Sequence, residues 1–159
     1  MANDFTQEEF EDLFSQLTSH ANRLGIFERV EFREPVNKPV GGLALALWIN
    51  DYKPVPAGSG LAETTMLLDV RATAYNPLGS GKNAAPKVEA RILYAVHRYM
   101  KVLSNDFELD RMVRNIDLLG QTDKRLESDF GYLQYEDTWY RIGEITVPLI
   151  INDVYEQEA

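Results

Sequence analysis

A chain of 159 residues that is 45% hydrophobic and 26% charged has the length and apolar content of one domain with its own core, which excludes a disordered tail. The absence of cysteine excludes a disulfide framework, a thiolate metal site and a cysteine nucleophile. A formal net charge of −9 excludes phosphate-backbone binding as the main source of affinity, because nucleic-acid binders neutralise phosphates with Lys and Arg.

The opening residues Met1-Ala2-Asn3-Asp4-Phe5 have no basic or apolar leader pattern, and no run approaches the ~18–20 apolar residues of a membrane span. The expectation is a chain made and used in the cytoplasm, with no membrane partner. Asn3 to Leu24 reads as the first helix. Thr6 and Glu9 make a capping box, in which each side chain satisfies the other's orphan N–H. Phe10, Leu13, Phe14, Leu17, Ala21 and Leu24 form one apolar stripe. Glu8, Glu9, Glu11 and Asp12 put negative charge on the first turns, where the helix dipole favours it, and Gly25 suits the residue after the C-cap. Ile26 to Arg33 is a candidate short strand, and the Pro- and Gly-bearing stretch Glu34 to Gly42 is a loop.

Leu43 to Tyr52 reads as a strand with Leu43, Leu45, Leu47 and Ile49 on one face. Ala44, Ala46 and Trp48 on the other face predict that both sides are covered. Leu61 to Tyr75 is a second strand, with Met66, Leu68, Val70, Ala72 and Ala74 opposite Glu63, Thr65, Asp69, Arg71 and Thr73. At ~3.3 Å per residue it could extend ~50 Å, more than a small core needs. The two strands predict a long projecting hairpin whose tip, around Lys53, Pro54, Val55, Pro56, Ala57 and Gly58, reaches a neighbour.

Asn76 to Asn83 is a turn region, and Ala84 to Ser104 a second helix with Pro86 tolerated in its first turn. Its core face is Val88, Ile92, Ala95, Val96, Tyr99 and Leu103. Val113 to Leu119, Tyr132 to Tyr135 and Trp139 to Ile151 are further strands, with Pro148 implying an edge or a bulge. The acidic tail from Asn152 is expected to move unless docked. One domain over 1–159 is predicted, of α/β (α+β) type: a small mixed or antiparallel sheet flanked by two main helices, with the hairpin projecting.

Chemistry-bearing motifs are few. Leu78-Gly79-Ser80-Gly81-Lys82-Asn83 has the setting of a phosphate loop, but Asn76 stands where the first Gly is needed and Asn83 where a Ser or Thr would hold magnesium. It reads as a plain turn. His97 falls opposite the core face of its helix, and His20 borders the first stripe. Nothing in the spacing puts either beside a carboxylate as a general-base pair requires. Asp106, Glu108 and Asp110 alternate, which in a strand would align them for a hard cation, but they lack the Gly and closing Glu of a calcium loop. No catalytic residue, metal or cofactor is expected.

Lys87, Arg91, Tyr94, Arg98 and Lys101 recur at 4, 3, 4, 3 and make a basic stripe beside the core face of the second helix. It is either a solvated face or a subunit seam matched to the acidic residues Glu8, Glu9, Glu11 and Asp12 of a neighbour. A nucleic-acid footprint ranks below both, given the net charge. Trp48, Tyr52, Trp139 and Tyr140 read as core or sheet-face packing, with some free to anchor an interface.

The second half carries a resemblance. It lies in Arg71-Ala72-Thr73-Ala74-Tyr75-Asn76-Pro77, in Ser104-Asn105-Asp106-Phe107-Glu108-Leu109 and in Val113-Arg114-Asn115-Ile116-Asp117-Leu118-Leu119-Gly120. The long run Trp139-Tyr140-Arg141-Ile142-Gly143-Glu144-Ile145-Thr146-Val147-Pro148-Leu149-Ile150-Ile151-Asn152-Asp153-Val154 completes it. Over roughly residues 40 to 159 the chain resembles the tail terminator proteins of long-tailed bacteriophages of actinobacterial hosts. The resemblance implies a homohexameric ring in the virion, assembled in the host cytoplasm and seated on the head-proximal end of the tail tube. Its partners would be itself, the tail tube protein and the head-to-tail connector protein, with DNA only as passing cargo. A neighbouring head-completion or connector role is the nearest alternative. A small enzyme or a cytoplasmic adaptor without a ring are the others.

Overall fold

The hydrophobic periods of the chain resolve into two helices and a curled, mixed six-stranded sheet, an α+β fold. In a computed structural model, residues 5–34, 42–55, 63–78 and 85–156 are described, except for the side chains of 63, 64, 85 and 152–156. In chain order the elements are α1 (Gln7–Arg23), β1 (Arg29–Glu31), β2 (Ala44–Val55), β3 (Glu63–Pro77), α2 (Ala85–Asn105), β4 (Asn115–Ile116), β5 (Glu127–Tyr135) and β6 (Thr138–Glu156). The sheet runs β1-β2-β3-β6, and β4 and β5 share the far side of β6. Among the described residues only β1 and β2 pair in parallel. No helix among the described residues is long and apolar enough to cross a membrane.

Helix α1 begins where the cap requires. Thr6 is extended (φ −83°, ψ 163°), and its Oγ1 accepts the Glu9 N–H at 3.1 Å. The box closes through side chains, with the Thr6 hydroxyl 3.4 Å from the Glu9 carboxylate. At the other end Gly25 takes φ +67°, a left-handed position that favours glycine. Leu13, Leu17 and Ala21 are buried in the core, and Phe14 stacks on Phe32 beside β1 (centroids 4.1 Å, planes 14° apart).

Both helices lie on one face of the sheet. Their stripes meet Leu45 and Leu47 of β2, the Met66-to-Ala74 face of β3, and Ile145, Val147, Leu149 and Ile151 of β6 in one core. Tyr99 of α2, wholly buried, donates its hydroxyl to the Leu17 carbonyl at 3.0 Å and so ties the helices together. Gly143 of β6 lets α2 approach: an added Cβ would stand 2.6 Å from Val96 Cγ2.

The long β2/β3 hairpin is present, and β6 adds a third strand beside β3 out to Glu63↔Glu156, with a register shift between Thr64 and Met66. The tail is docked as strand to Glu156 for the same reason. Pro148 marks neither an edge nor a bulge, since the register Leu68↔Leu149, Asp69↔Pro148, Val70↔Val147 is unbroken. Its carbonyl accepts the Asp117 N–H (2.8 Å), so its missing donor faces the junction where β5 ends and β4 begins. Finally, Val113 to Leu119 contributes only the two-residue β4. The preceding turn carries Leu109, Asp110 and Arg111 at φ 47°, 54° and 66°, held by burial of Leu109 and by the Asp106 carboxylate accepting the Asp110 N–H (3.0 Å). The phosphate-loop-like run lies outside the described residues beyond Leu78.

Candidate functional site

The first turns of α1 present Glu8, Glu9, Glu11 and Asp12 to solvent, because the stripe Phe10–Leu13–Leu17 turns the opposite side inward. On α2 the same logic exposes Lys87, Arg91, Tyr94 and Lys101, with Arg98 partly covered. The predicted basic stripe is therefore one continuous face. Three of its members are engaged within the chain. Arg98 donates to the Tyr94 hydroxyl (2.7 Å) and lies 5.6 Å from that ring's centroid, while Arg91 donates to Asn76 Oδ1 (3.2 Å).

The hairpin tip is placed only in part. Lys53, Pro54 and Val55 are the last residues of β2, paired with Leu67, Met66 and Thr65, whereas Pro56, Ala57 and Gly58 lie outside the described residues. Lys53 is anchored rather than presented: Nζ donates to Asp123 at 2.8 Å, a hydrogen bond that raises its pKa above the ordinary lysine value.

Sequence reasoning missed the polar cluster on the second face of the sheet. Alternation put Asp69 on the face opposite the apolar one, and there it is fully buried. Asn50 supplies one partner: it is the extra residue of a β-bulge between Ile49 and Asp51, and its amide reaches Asp69 at 2.9 Å. Arg71 (3.0 Å) and Lys124 (2.6 Å) supply the others. Burial pushes the Asp69 carboxyl up, but the bonds from Arg71, Lys124 and Asn50 outweigh it and hold the group below the usual carboxylate range. Arg71 also reaches Glu144 on β6 (3.1 Å). The bulge and the loop that brings Lys124 over the sheet have no periodic signature.

That loop is built by Asp117. Its carboxylate accepts the N–H groups of Gly120, Gln121 and Thr122 (each 2.9 Å) and the Thr122 hydroxyl (2.7 Å). Here too burial raises the pKa, and the Thr122, Gln121 and Gly120 bonds overcome it and lower the group. Both carboxylates are saturated with donors, which suits anchors and not proton acceptors.

His20 is a correction. It is buried, and Nε2 lies 2.7 Å from Asp106 Oδ2, a pairing that spans 86 positions of sequence. Gln16 Nε2 shares both partners at 3.4 Å. Burial acts to raise the Asp106 pKa, and bonds from Asp110, His20 and Gln16 reverse it to a net lowering. With Oδ1 taken by the Asp110 N–H, the cluster pins α1 to the end of α2. Asp106 and Asp110 thus lie in a helix-terminal turn and not along a strand face. His97 is exposed.

Of the four aromatics, Tyr140 is buried and packs edge-on to Tyr75 (6.4 Å, 90°), whose hydroxyl burial pushes up to about 12. Trp48 packs against the same small second-face cluster. Tyr52 and Trp139 are exposed.

No family model and no curated protein matches the chain. Among solved structures, the PVC sheath/tube terminator of an extracellular contractile injection system, in its extended state, is similar over 99% of this chain at 12% identity and a TM-score of 0.35. This chain spans only 60% of that protein. A second solved chain is similar over 91% of this one and 96% of its own length, at 13% identity and a TM-score of 0.37. Both are distant likenesses of fold, below the level that establishes a shared function.

Proposed function

We propose that this chain is a structural virion protein, a tail terminator. In this reading copies form a six-membered ring on the head-proximal end of the tail tube, stop tube growth, and join the tail to the head connector while DNA passes through. The observation that carries it is the pair of oppositely charged helix faces on one layer of the fold: Glu8, Glu9, Glu11 and Asp12 on α1, and Lys87, Arg91 and Lys101 on α2, all exposed. A closed ring needs two different surfaces that meet head to tail, and matched charge sets register and partner choice. The saturated carboxylates support a non-enzymatic role. The net charge of −9 suits a ring that lets a duplex slide past without gripping it. The resemblance in the second half of the sequence supplies the particle and the partners.

The test is a phage lacking the protein. Tails of uncontrolled length are expected. Tails of normal length that fail to join heads would replace this role with the neighbouring connector role.

A further inference from the structure

The sheet ends in borders of different kinds. β1 and β4 are three and two residues long, too short to guide a partner strand. β2 beyond β1 is broken by the bulge at Asn50 and carries Lys53 and Pro54, devices that keep an edge from pairing. β5 has none of these. Its register with β6 runs unbroken from Glu127↔Thr146 to Tyr135↔Thr138, and it holds no Lys, Arg or Pro. From Glu127 to Gln134 no described residue forms a ladder with its other side. In a strand paired on one side, every second residue turns its N–H and C=O outward. The Gly131 carbonyl takes Arg141 Nη1 at 3.0 Å and keeps a second lone pair.

The side chains beside this edge are sorted by face. Phe130 and Tyr132 lie on the helix face, opposite Gly143 and Arg141, and remain 39% and 59% exposed. The Arg141 guanidinium lies 5.8 and 4.5 Å from their ring centroids, and Glu89 of α2 holds it by bonds of 2.8 and 3.1 Å. The rings are thus braced before any partner arrives. On the other face Glu127 stands opposite Thr146 and Asp129 opposite Glu144. Glu127, Asp129 and Glu136 are exposed, and Asp129 and Glu136 have no ion-pair partner among the described residues.

We propose that β5 is an acceptor edge for one extended strand of another protein, with β-branched side chains on one face and Lys or Arg on the other. Open N–H and C=O groups call for a strand: in strand addition the backbone bonds give affinity and alternate side chains give specificity. The register sets the pattern. β-Branched residues fit against Phe130 and Tyr132, and cations fit opposite Glu127 and Asp129. A second copy does not supply this strand. Its β5 has no cation to set against the acids, its β1 is too short, and its β2 is broken at Asn50 and Pro54. The contact goes beyond the ring reading, whose charged faces lie on the helices, and its failure leaves that reading standing.

The experiment is isothermal titration of the full-length chain with a capped peptide, Thr-Val-Thr-Val-Lys-Thr-Lys, written to run antiparallel along Leu133 to Glu127. Binding at about 0.1 mM or tighter is expected, with amide exchange slowed between Glu127 and Leu133. Two versions N-methylated at alternate residues, one in each phase, separate backbone pairing from nonspecific adhesion. One phase should abolish binding and the other should leave it intact, because only every second peptide N–H faces β5. Replacing the peptide's lysines by glutamate should weaken binding roughly tenfold or more, with the difference narrowing at high salt. Glu127→Lys with Asp129→Lys, in a chain whose thermal melt shows it folded, should do the same. No binding up to about 1 mM, equal binding by both N-methylated versions, or indifference to the charge reversals would overturn the acceptor edge.

Discussion

Replacing Gly143 by Ala tests how α2 docks on the sheet. The new Cβ would stand 2.6 Å from Val96 Cγ2 and 3.2 Å from Phe130 Cε1. Carbon atoms pack best at about 3.5–4.0 Å, so Val96 must retreat by about 1 Å. It has little room: Val96 is buried, and a valine in a helix keeps one rotamer about 90% of the time. Overpacking of this kind costs about 1–3 kcal/mol. The entropic gain from Gly→Ala, about 0.4–1 kcal/mol, applies only where the new side chain fits without strain. A net loss of about 1–2 kcal/mol follows, which lowers Tm by about 2–8 °C for a domain of this size. Val96→Ala alone removes two methyl-sized groups, worth about 1.6 kcal/mol. If the clash is the cause, the double variant is more stable than the sum of the two losses, by about 1 kcal/mol. Urea titrations of the four proteins measure this. A neutral Gly143→Ala, or losses that add within about 0.5 kcal/mol, would refute the close approach.

Asp69→Ala should cost about 2–3 kcal/mol, because hydrogen bonds to a charged group are lost while Arg71 and Lys124 can return partly to water; equilibrium unfolding checks it. The folded pKa of Asp69, Asp106 and Asp117 lies below the unfolded value of about 3.9, so their stabilising contribution is complete above about pH 5 and is lost as pH falls through the folded values. The acid limb of a pH–stability curve should therefore be shallower in Asp69→Asn than in the wild type. Asp117→Ala should speed hydrogen exchange at Gly120, Gln121 and Thr122 while α2 keeps its protection. Reversing Lys87 and Lys101 to Glu should weaken self-assembly, most at low salt, and reversing Glu8 and Glu11 to Lys in the same chain should restore it. Light scattering across a salt series reads both effects.

Both helices were legible because their apolar stripes are long and uninterrupted: Phe10 to Leu24 and Ile92 to Leu103 reappear as the inward faces. The alternation in β2 and β3 was legible for the same reason. What failed was not periodic. The alternation of β3 set Asp69 opposite the apolar face but could not show a bulge at Asn50 or a loop carrying Lys124 over it. His20 and Asp106 meet across 86 positions, a distance no local pattern spans. The polar residues after Asn152 read as a loose tail because strand pairing there comes from β3 and not from apolar alternation. Of the candidate surfaces, the two charged faces were visible as helical spacings. The grouping of Phe130, Tyr132 and Trp139 was not, because they come together only through the β5–β6 register.

The most direct test of assembly as the function is native mass spectrometry of the purified chain, alone and with tail tube protein. A single closed species of six copies, free or on the tube, is the predicted result. A monomer under both conditions would contradict it.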